Sequence, residues 1–149
     1  MRCLIRGLTG IGCAEGEEKV GYQIEWEPRG ILLRFFDEVP SQELMRAHEA
    51  LHGDGRFDTA HYLIQDFSQA RRVDLDDEDM RCRAYIDRVA SSYNRRLRLA
   101  HVARDERLRR GLEAYVGWAR ELGIPWPMSI CLGAEEARRW ADGPPLSPP

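Results

Sequence analysis

Two histidines four residues apart bracket a glutamate in the segment His48-Glu49-Ala50-Leu51-His52. On a helix, that spacing turns both imidazoles to one side, where they can share a zinc ion, and leaves Glu49 beside the metal as a general base for water. The chemistry so encoded is that of a zinc peptidase. The surrounding residues argue the other way. Such a helix runs on past its second histidine between mostly uncharged flanks, whereas here Gly53-Asp54-Gly55 stops the helix directly after His52, and Arg46 stands just upstream. No second motif supplies a third ligand, and His61, though near in sequence, opens a strand. The segment therefore reads as a structural helix. His48 packs beside Leu44 and Leu51, and His52 lies near the C-terminus, where a protonated imidazole interacts favourably with the helix dipole. No metal and no cofactor are predicted; His48 and His52 are the pair that a zinc hydrolase would use.

A second concentration of reactive side chains follows the apolar run HYLIQDF. Asp66 stands near the end of that run, where open α/β sheets place ligand-contacting residues; as a turn residue it would instead order the loop by accepting a hydrogen bond. Ser68 is the hydroxyl closest to it. Asp74, Asp76, Asp77, Glu78 and Asp79 then crowd the start of a helix, where carboxylates satisfy orphan N–H groups and oppose the dipole, each contributing about 0.3–1 kcal/mol. The same acids form a fixed negative patch able to dock a basic partner. Asp66, Ser68, Asp76 and Asp77 are thus the candidate ligand- or partner-binding residues.

The elements that position these groups follow from periodicity. Residues 22–27 alternate Tyr22, Ile24 and Trp26 with Gln23, Glu25 and Glu27, a strand with one wet face. Residues 31–36 are more continuously apolar, and Pro28-Arg29-Gly30 between the two runs is turn chemistry, so the pair reads as a hairpin. Ser41 is the expected N-cap of a helix that buries Leu44, Ala47, His48 and Leu51. A short parallel strand over 61–67 is expected next. It leads to a long helix over 76–94 whose apolar stripe is Cys82, Tyr85, Ile86, Val89 and Tyr93. A strand over 97–103 precedes a third long helix, capped by Asp105, with Leu108, Leu112, Tyr115, Val116, Ala119 and Leu122 inward, and ended by Gly123-Ile124-Pro125. WPMSICL supplies a last strand and GAEEARRWA a last helix. Alternation of strands and helices implies parallel pairs joined by right-handed crossovers, so the predicted fold is α/β. It is a single domain, a mixed five-stranded sheet made of a β-hairpin and βαβ units, flanked by four helices. The domain is expected over 20–141, after a flexible extension over 1–19 and before a Pro-rich disordered tail over 142–149.

Composition narrows the function classes. With 149 residues, 43% apolar and 32% charged, the chain suits one ordinary soluble domain. A formal net charge of −3 leaves no basic surplus for a phosphate backbone, so nucleic acid is not an expected partner, and no apolar run is long enough to span a membrane. Cys3, Cys13, Cys82 and Cys131 form no CxxC pair and no disulfide framework; a reducing cytoplasm is the expected compartment. Cys82 and Cys131 read as inert buried thiols, and Trp118, Trp126 and Trp140 as core or interface anchors. The arginines at 71, 72, 95, 96 and 98 read as a solvated face or as partners of the acids.

The order of elements, together with four phrases, resembles the SpoIIAA-like branch of the STAS superfamily, often grouped with SEC14-type lipid-binding domains. The phrases are ILLRFFDEVPSQEL, ALHGDGRFDTAHYLIQDFSQA, RLRLAHVARDERLRRGLEAY and CLGAEEARRWA, spread over 20–141. The resemblance implies a non-catalytic regulatory or protein-interaction module that binds a protein partner or forms a homodimer. As the alternative, it implies a small-molecule or lipid carrier, which needs an apolar cavity between sheet and helices. Sporulation proteins of that branch carry a phosphorylated serine at the helix start after the third strand. This chain has acids there and neither serine nor threonine, a departure from the switch pattern.

Overall fold

The computed structural model describes residues 21–144. The expected N-terminal extension, with Cys3 and Cys13, and residues 145–149 of the expected tail lie outside the described residues. Ten elements follow one another: β1 (Tyr22–Trp26), β2 (Gly30–Pro40), α1 (Ser41–His52), a 3-10 turn (Gly55–Thr59), β3 (Tyr62–Asp74), α2 (Asp77–Ala90), β4 (Arg98–Val102), α3 (Glu106–Glu121), β5 (Met128–Cys131) and α4 (Ala134–Ala141). The sheet is mixed, five-stranded and α/β as expected, with strands in the order β1-β2-β3-β4-β5. β1 pairs antiparallel with β2, from Tyr22 against Phe35 to Trp26 against Ile31; the other three pairs are parallel.

That sequential order fixes the layers. Each parallel step is a crossover in the same direction, and right-handedness puts all three crossover helices on one face. Alternate residues of the strands accordingly serve two cores. Ile31, Leu33, Phe35, Leu63 and Leu99 pack under α1, α2 and α3. Leu32, Tyr62, Ile64, Ala100 and Val102 pack under α4. Burial on both faces explains why these strands read as continuous apolar runs rather than alternating ones. Glu27 ties α4 to the hairpin. It receives two bonds from the Arg138 guanidinium, both 2.9 Å, and one from the Tyr62 hydroxyl at 2.6 Å. Arg138 holds the Glu27 carboxyl below its usual pKa, while burial and Glu27 push Tyr62 up to about 12. The Tyr62 ring lies against Gly30, where a Cβ would meet ring carbons at 2.5 Å, so this turn position has no room for a side chain.

Four expectations are corrected. β3 does not stop near 67 but runs to Asp74, because β2 also continues, past two register shifts and a left-handed Asp37 (φ 53°), as a two-strand arm ending at Pro40 against Asp74. The arm is mostly polar; Val39 alone of its side chains is buried in the core, with Ala70 and Val73 packed beside that core, too sparse an apolar pattern to mark a strand. Ser41 is the first residue of α1; Pro40 occupies the cap and makes no side-chain cap bond, while the Glu43 carboxylate accepts from the Gly21 N–H instead. The long helix ends at Ala90 rather than Asn94. Its buried face is also not the expected one. Met80, Arg83, Ala84, Asp87 and Ala90 point inward, whereas Cys82, Tyr85, Val89 and Tyr93 are exposed. Ala84 and Ala90 are among its buried small residues, and the pair Arg83 and Asp87 is buried with its partners.

Other boundaries agree with expectation. Asp105 caps α3 by accepting from the Leu108 N–H, and Leu108, Leu112, Tyr115 and Ala119 are buried. The helix ends in a Schellman motif: Gly123 (φ 75°) donates to Arg120 and Ile124 to Ala119. Cys131 and Trp126 are buried; Trp126 donates to the Asn94 carbonyl, and the Asn94 amide donates to Phe57 and Ala60, locking the turn after α2 onto the 3-10 segment.

Candidate functional site

The two histidines of HEALH lie under the helix layer. The His48 Nδ1–H donates to the Leu44 carbonyl at 2.8 Å, and its Nε2 lies 2.6 Å from the Gln65 amide nitrogen, which then donates to it. Both ring nitrogens are used, so a ligand lone pair is available to a metal only if the Gln65 bond breaks. His52 approaches the Asp87 carboxylate with Nε2 at 3.7 Å and sets its ring edge-on to Phe57. No group of three His, Cys, Asp or Glu residues among the described ones is arranged to hold a metal ion. The packed position of His48 beside Leu44 is the one the sequence predicts.

This pair belongs to a larger polar cluster contributed by five elements: His48 and His52 from α1, Gln65 from β3, Arg83 and Asp87 from α2, His101 from β4 and Tyr115 from α3. Six of the seven are fully or almost fully buried; His52 is partly exposed. Arg83 Nε lies 3.4 Å from Asp87 Oδ2, and its guanidinium sits over the Tyr115 ring, 4.5 Å from the centroid. The Tyr115 hydroxyl donates to Asp87. The three guanidinium nitrogens, both nitrogens of His101 and Oε1 of Gln65 make no hydrogen bond among the described residues. Desolvation dominates the acid–base behaviour. It pushes His48 down to about 3, with the Arg83 charge adding to it, and drives His101 well below its usual value for the same two reasons. It also raises Tyr115 well above the ordinary phenol, with Asp87 contributing. Both histidines are therefore neutral at pH 7, and the cluster holds one compensated charge pair. The residues missed from the sequence were Gln65, Arg83, Asp87, His101 and Tyr115 as a unit. The signal was the i, i+4 spacing of Arg83 and Asp87.

At the carboxyl edge of the parallel strands the structure separates the four candidates. Asp66 lies within β3, opposite Val102 where β4 pairing ends, and its Oδ1 accepts from the Ser68 N–H at 2.8 Å; it orders the chain at that point. Asp76 and Asp79 form a reciprocal capping box, each side chain accepting from the other's backbone N–H at 2.8 and 3.0 Å. Asp77 is exposed in the first turn. Ser68 stands apart from these three on the wall of a cleft of about 410 Å³ between the β2–β3 arm and the starts of α2 and α3. Phe67, Met80 and Leu108 line it together with Arg71, Arg72, Arg104 and Arg107.

A third feature is the outward face of α2. Tyr85 and Val89, one helical turn apart, are 62% and 64% exposed, with Cys82 a turn earlier and Tyr93, 54% exposed, in the turn after Ala90. Beside Tyr85 a shallow groove of about 240 Å³ runs to Trp118, whose ring carries the Arg81 guanidinium at 5.0 Å. No helix among the described residues is long and apolar enough to cross a membrane.

No family model matches the chain, and no curated protein matches its sequence. Among solved structures it is similar to the anti-sigma factor antagonist SpoIIAA in its unphosphorylated form, with 14% identity, a TM-score of 0.51, and coverage of 82% of this chain and 98% of that one. An uncharacterised DUF3478 protein with a SpoIIAA-like fold, from Shewanella loihica PV-4, aligns at 11% identity and a TM-score of 0.46 over 80% of this chain and 91% of that one. The fold is therefore SpoIIAA-like, as the element order and the four sequence phrases implied.

Proposed function

We propose that the protein is a non-catalytic regulatory module that works through protein contacts made by the outer face of α2, and that the partner this face fits is a second copy of the chain. The observation that carries the reading is the row Cys82, Tyr85 and Val89, exposed on one side of the helix, with Tyr93 exposed in the turn just past its end. Contiguous apolar surface rimmed by charge marks an interaction site. The two ends of the face differ in charge: Asp76, Asp77 and Glu78 stand at one end and Arg95 and Arg96 just past the other, all exposed, with Arg81 over Trp118 and Arg88 donating to Leu122 between them. An antiparallel pairing about a two-fold axis near Tyr85 brings each acidic end against the partner's basic end, the self-complementarity of an isologous interface. The acids serve here as capping groups and rim charges. They carry no hydroxyl for a phosphate, so the interaction is read as constitutive rather than switched by phosphorylation. SpoIIAA is an antagonist of an anti-sigma factor; its fold likeness supports a role in binding rather than in chemistry. A reducing cytoplasm suits the free, exposed Cys82 on such a face.

Sedimentation velocity across a concentration series tests this. The wild-type chain is expected to self-associate, Val89→Asp to sediment as a monomer with unchanged thermal stability, and Asp76→Arg with Asp77→Arg to weaken association. Adding Arg95→Glu and Arg96→Glu to that charge-reversed pair restores complementarity and should restore association. A monomer at every concentration, or a Val89→Asp variant that associates like the wild type, refutes the assignment.

A further inference from the structure

We propose that the cleft between the β2–β3 arm and the starts of α2 and α3 binds a small amphipathic anion, an acidic head carried on an apolar chain. It lies on a different part of the molecule from the exposed α2 row and does not depend on it. The cleft measures about 410 Å³, inside the roughly 300–1,000 Å³ typical of small-molecule sites. It also sits past the carboxyl end of β4, beside the extension of β3 beyond its pairing with β4.

Its lining has two chemistries. Phe67, Met80 and Leu108 are buried core side chains that reach the floor. Four arginines and two aspartates line it too, a positive excess in a chain whose net charge is −3. Part of that charge is already engaged. Arg72 Nε donates to Asp74 at 2.9 Å, Arg104 Nε donates to the Leu132 carbonyl at 3.1 Å, and Asp105 accepts from the Leu108 N–H at 2.9 Å. Arg71 and Arg107 make no hydrogen bond or ion pair among the described residues. Two uncommitted guanidinium groups on the rim of an apolar floor select a ligand with a negative head and a hydrocarbon body. The fork of each matches a carboxylate or phosphate in two-bond geometry, and each methylene placed on the floor is removed from water.

Isothermal titration with octanoate, octyl phosphate, 1-octanol and acetate tests the proposal on the full chain. At least one of the two long anions is expected to bind with a Kd below about 1 mM, and which one does so identifies the head. Octanol lacks the charge and acetate the chain, and each is expected to bind at least about tenfold more weakly, since a charge-assisted hydrogen bond or a few buried methylenes each exceed that factor. Arg71→Glu with Arg107→Glu is expected to weaken the anion at least about tenfold, whereas Arg139→Glu on α4 leaves it unchanged. Both variants alter exposed side chains, and a thermal melt confirms their folding. Octanol binding as tightly as the anions, full affinity in the doubly reversed variant, or the absence of binding by both long anions at millimolar concentration each overturns the proposal.

Discussion

Replacing Asp87 by Asn tests the account of the buried cluster. Asp87 and Arg83 are both almost fully buried, 3.4 Å apart, and the Tyr115 hydroxyl donates to the same carboxylate. Asn keeps the shape and an acceptor for Tyr115 but removes the negative charge. The guanidinium is then buried beside the Tyr115 ring face without a counter-charge, because none of its nitrogens has a hydrogen-bond partner among the described residues. Breaking a desolvated pair from one side costs about 3–5 kcal/mol. That is a large part of the 5–15 kcal/mol by which a domain is stable. For a chain of this size it corresponds to a fall in Tm of roughly 6–20 °C. Adding Arg83→Met removes the stranded cation and leaves Tyr115 bonded to Asn. The double variant is therefore expected to recover most of the loss, a non-additivity that the cycle reads directly. Urea denaturation of the four proteins provides the measurement. If Asp87→Asn alone loses less than about 1 kcal/mol, or if the double variant is no more stable than it, the pair is not desolvated as described and the reasoning fails.

Four further outcomes follow from the same structure. His48 and His101 have folded-state pKa values below the ordinary 6.5, so the unfolded chain binds more protons in the interval and stability must fall as pH drops below 6.5. At pH 5 the loss is about 2 kcal/mol for each neutral histidine; urea midpoints that stay flat between pH 7 and pH 5 would contradict this. Gly30→Ala drives a methyl group into the Tyr62 ring and is expected to destabilise by about 1–3 kcal/mol, which Tyr62→Leu in the same chain should partly relieve. Asp76→Ala removes half of the capping box and should cost about 1 kcal/mol in a thermal melt while leaving the fold intact. Because His48 uses both ring nitrogens, a chelator is expected to leave Tm unchanged, and added zinc should raise it by no more than the scatter between repeats; a saturable rise would reopen the metal reading of HEALH.

What was legible in the sequence was what depends on neighbours along the chain. The hairpin turn at 28–30, the Asp105 cap, the Gly123 helix end and the apolar runs of β2, β3 and β4 are local signals, and the structure has them where they were read. The parallel pairing of the later strands also followed from element order, whereas the strand order that sets the layers came from the structure. The glycines after His52 correctly marked HEALH as a helix end.

The tertiary structure decided whatever depends on which face an element turns inward. On α2, counting apolar residues chose Cys82, Tyr85, Val89 and Tyr93 for the core, yet the helix turns Met80, Ala84 and Ala90 inward, and that rotation buries Arg83 and Asp87 instead. The groups that meet the buried pair come from other elements, the Tyr115 hydroxyl donating to Asp87 and its ring under the Arg83 guanidinium, and no local window of sequence contains them. The β2–β3 arm was invisible for a related reason. Its strands, mostly polar apart from Val39, Ala70 and Val73, gain their order largely from pairing with each other, a long-range match of register that side-chain pattern does not encode. The arginine-lined cleft exists only where that arm meets the starts of two helices, so chain order set its ingredients and three-dimensional closure set their use.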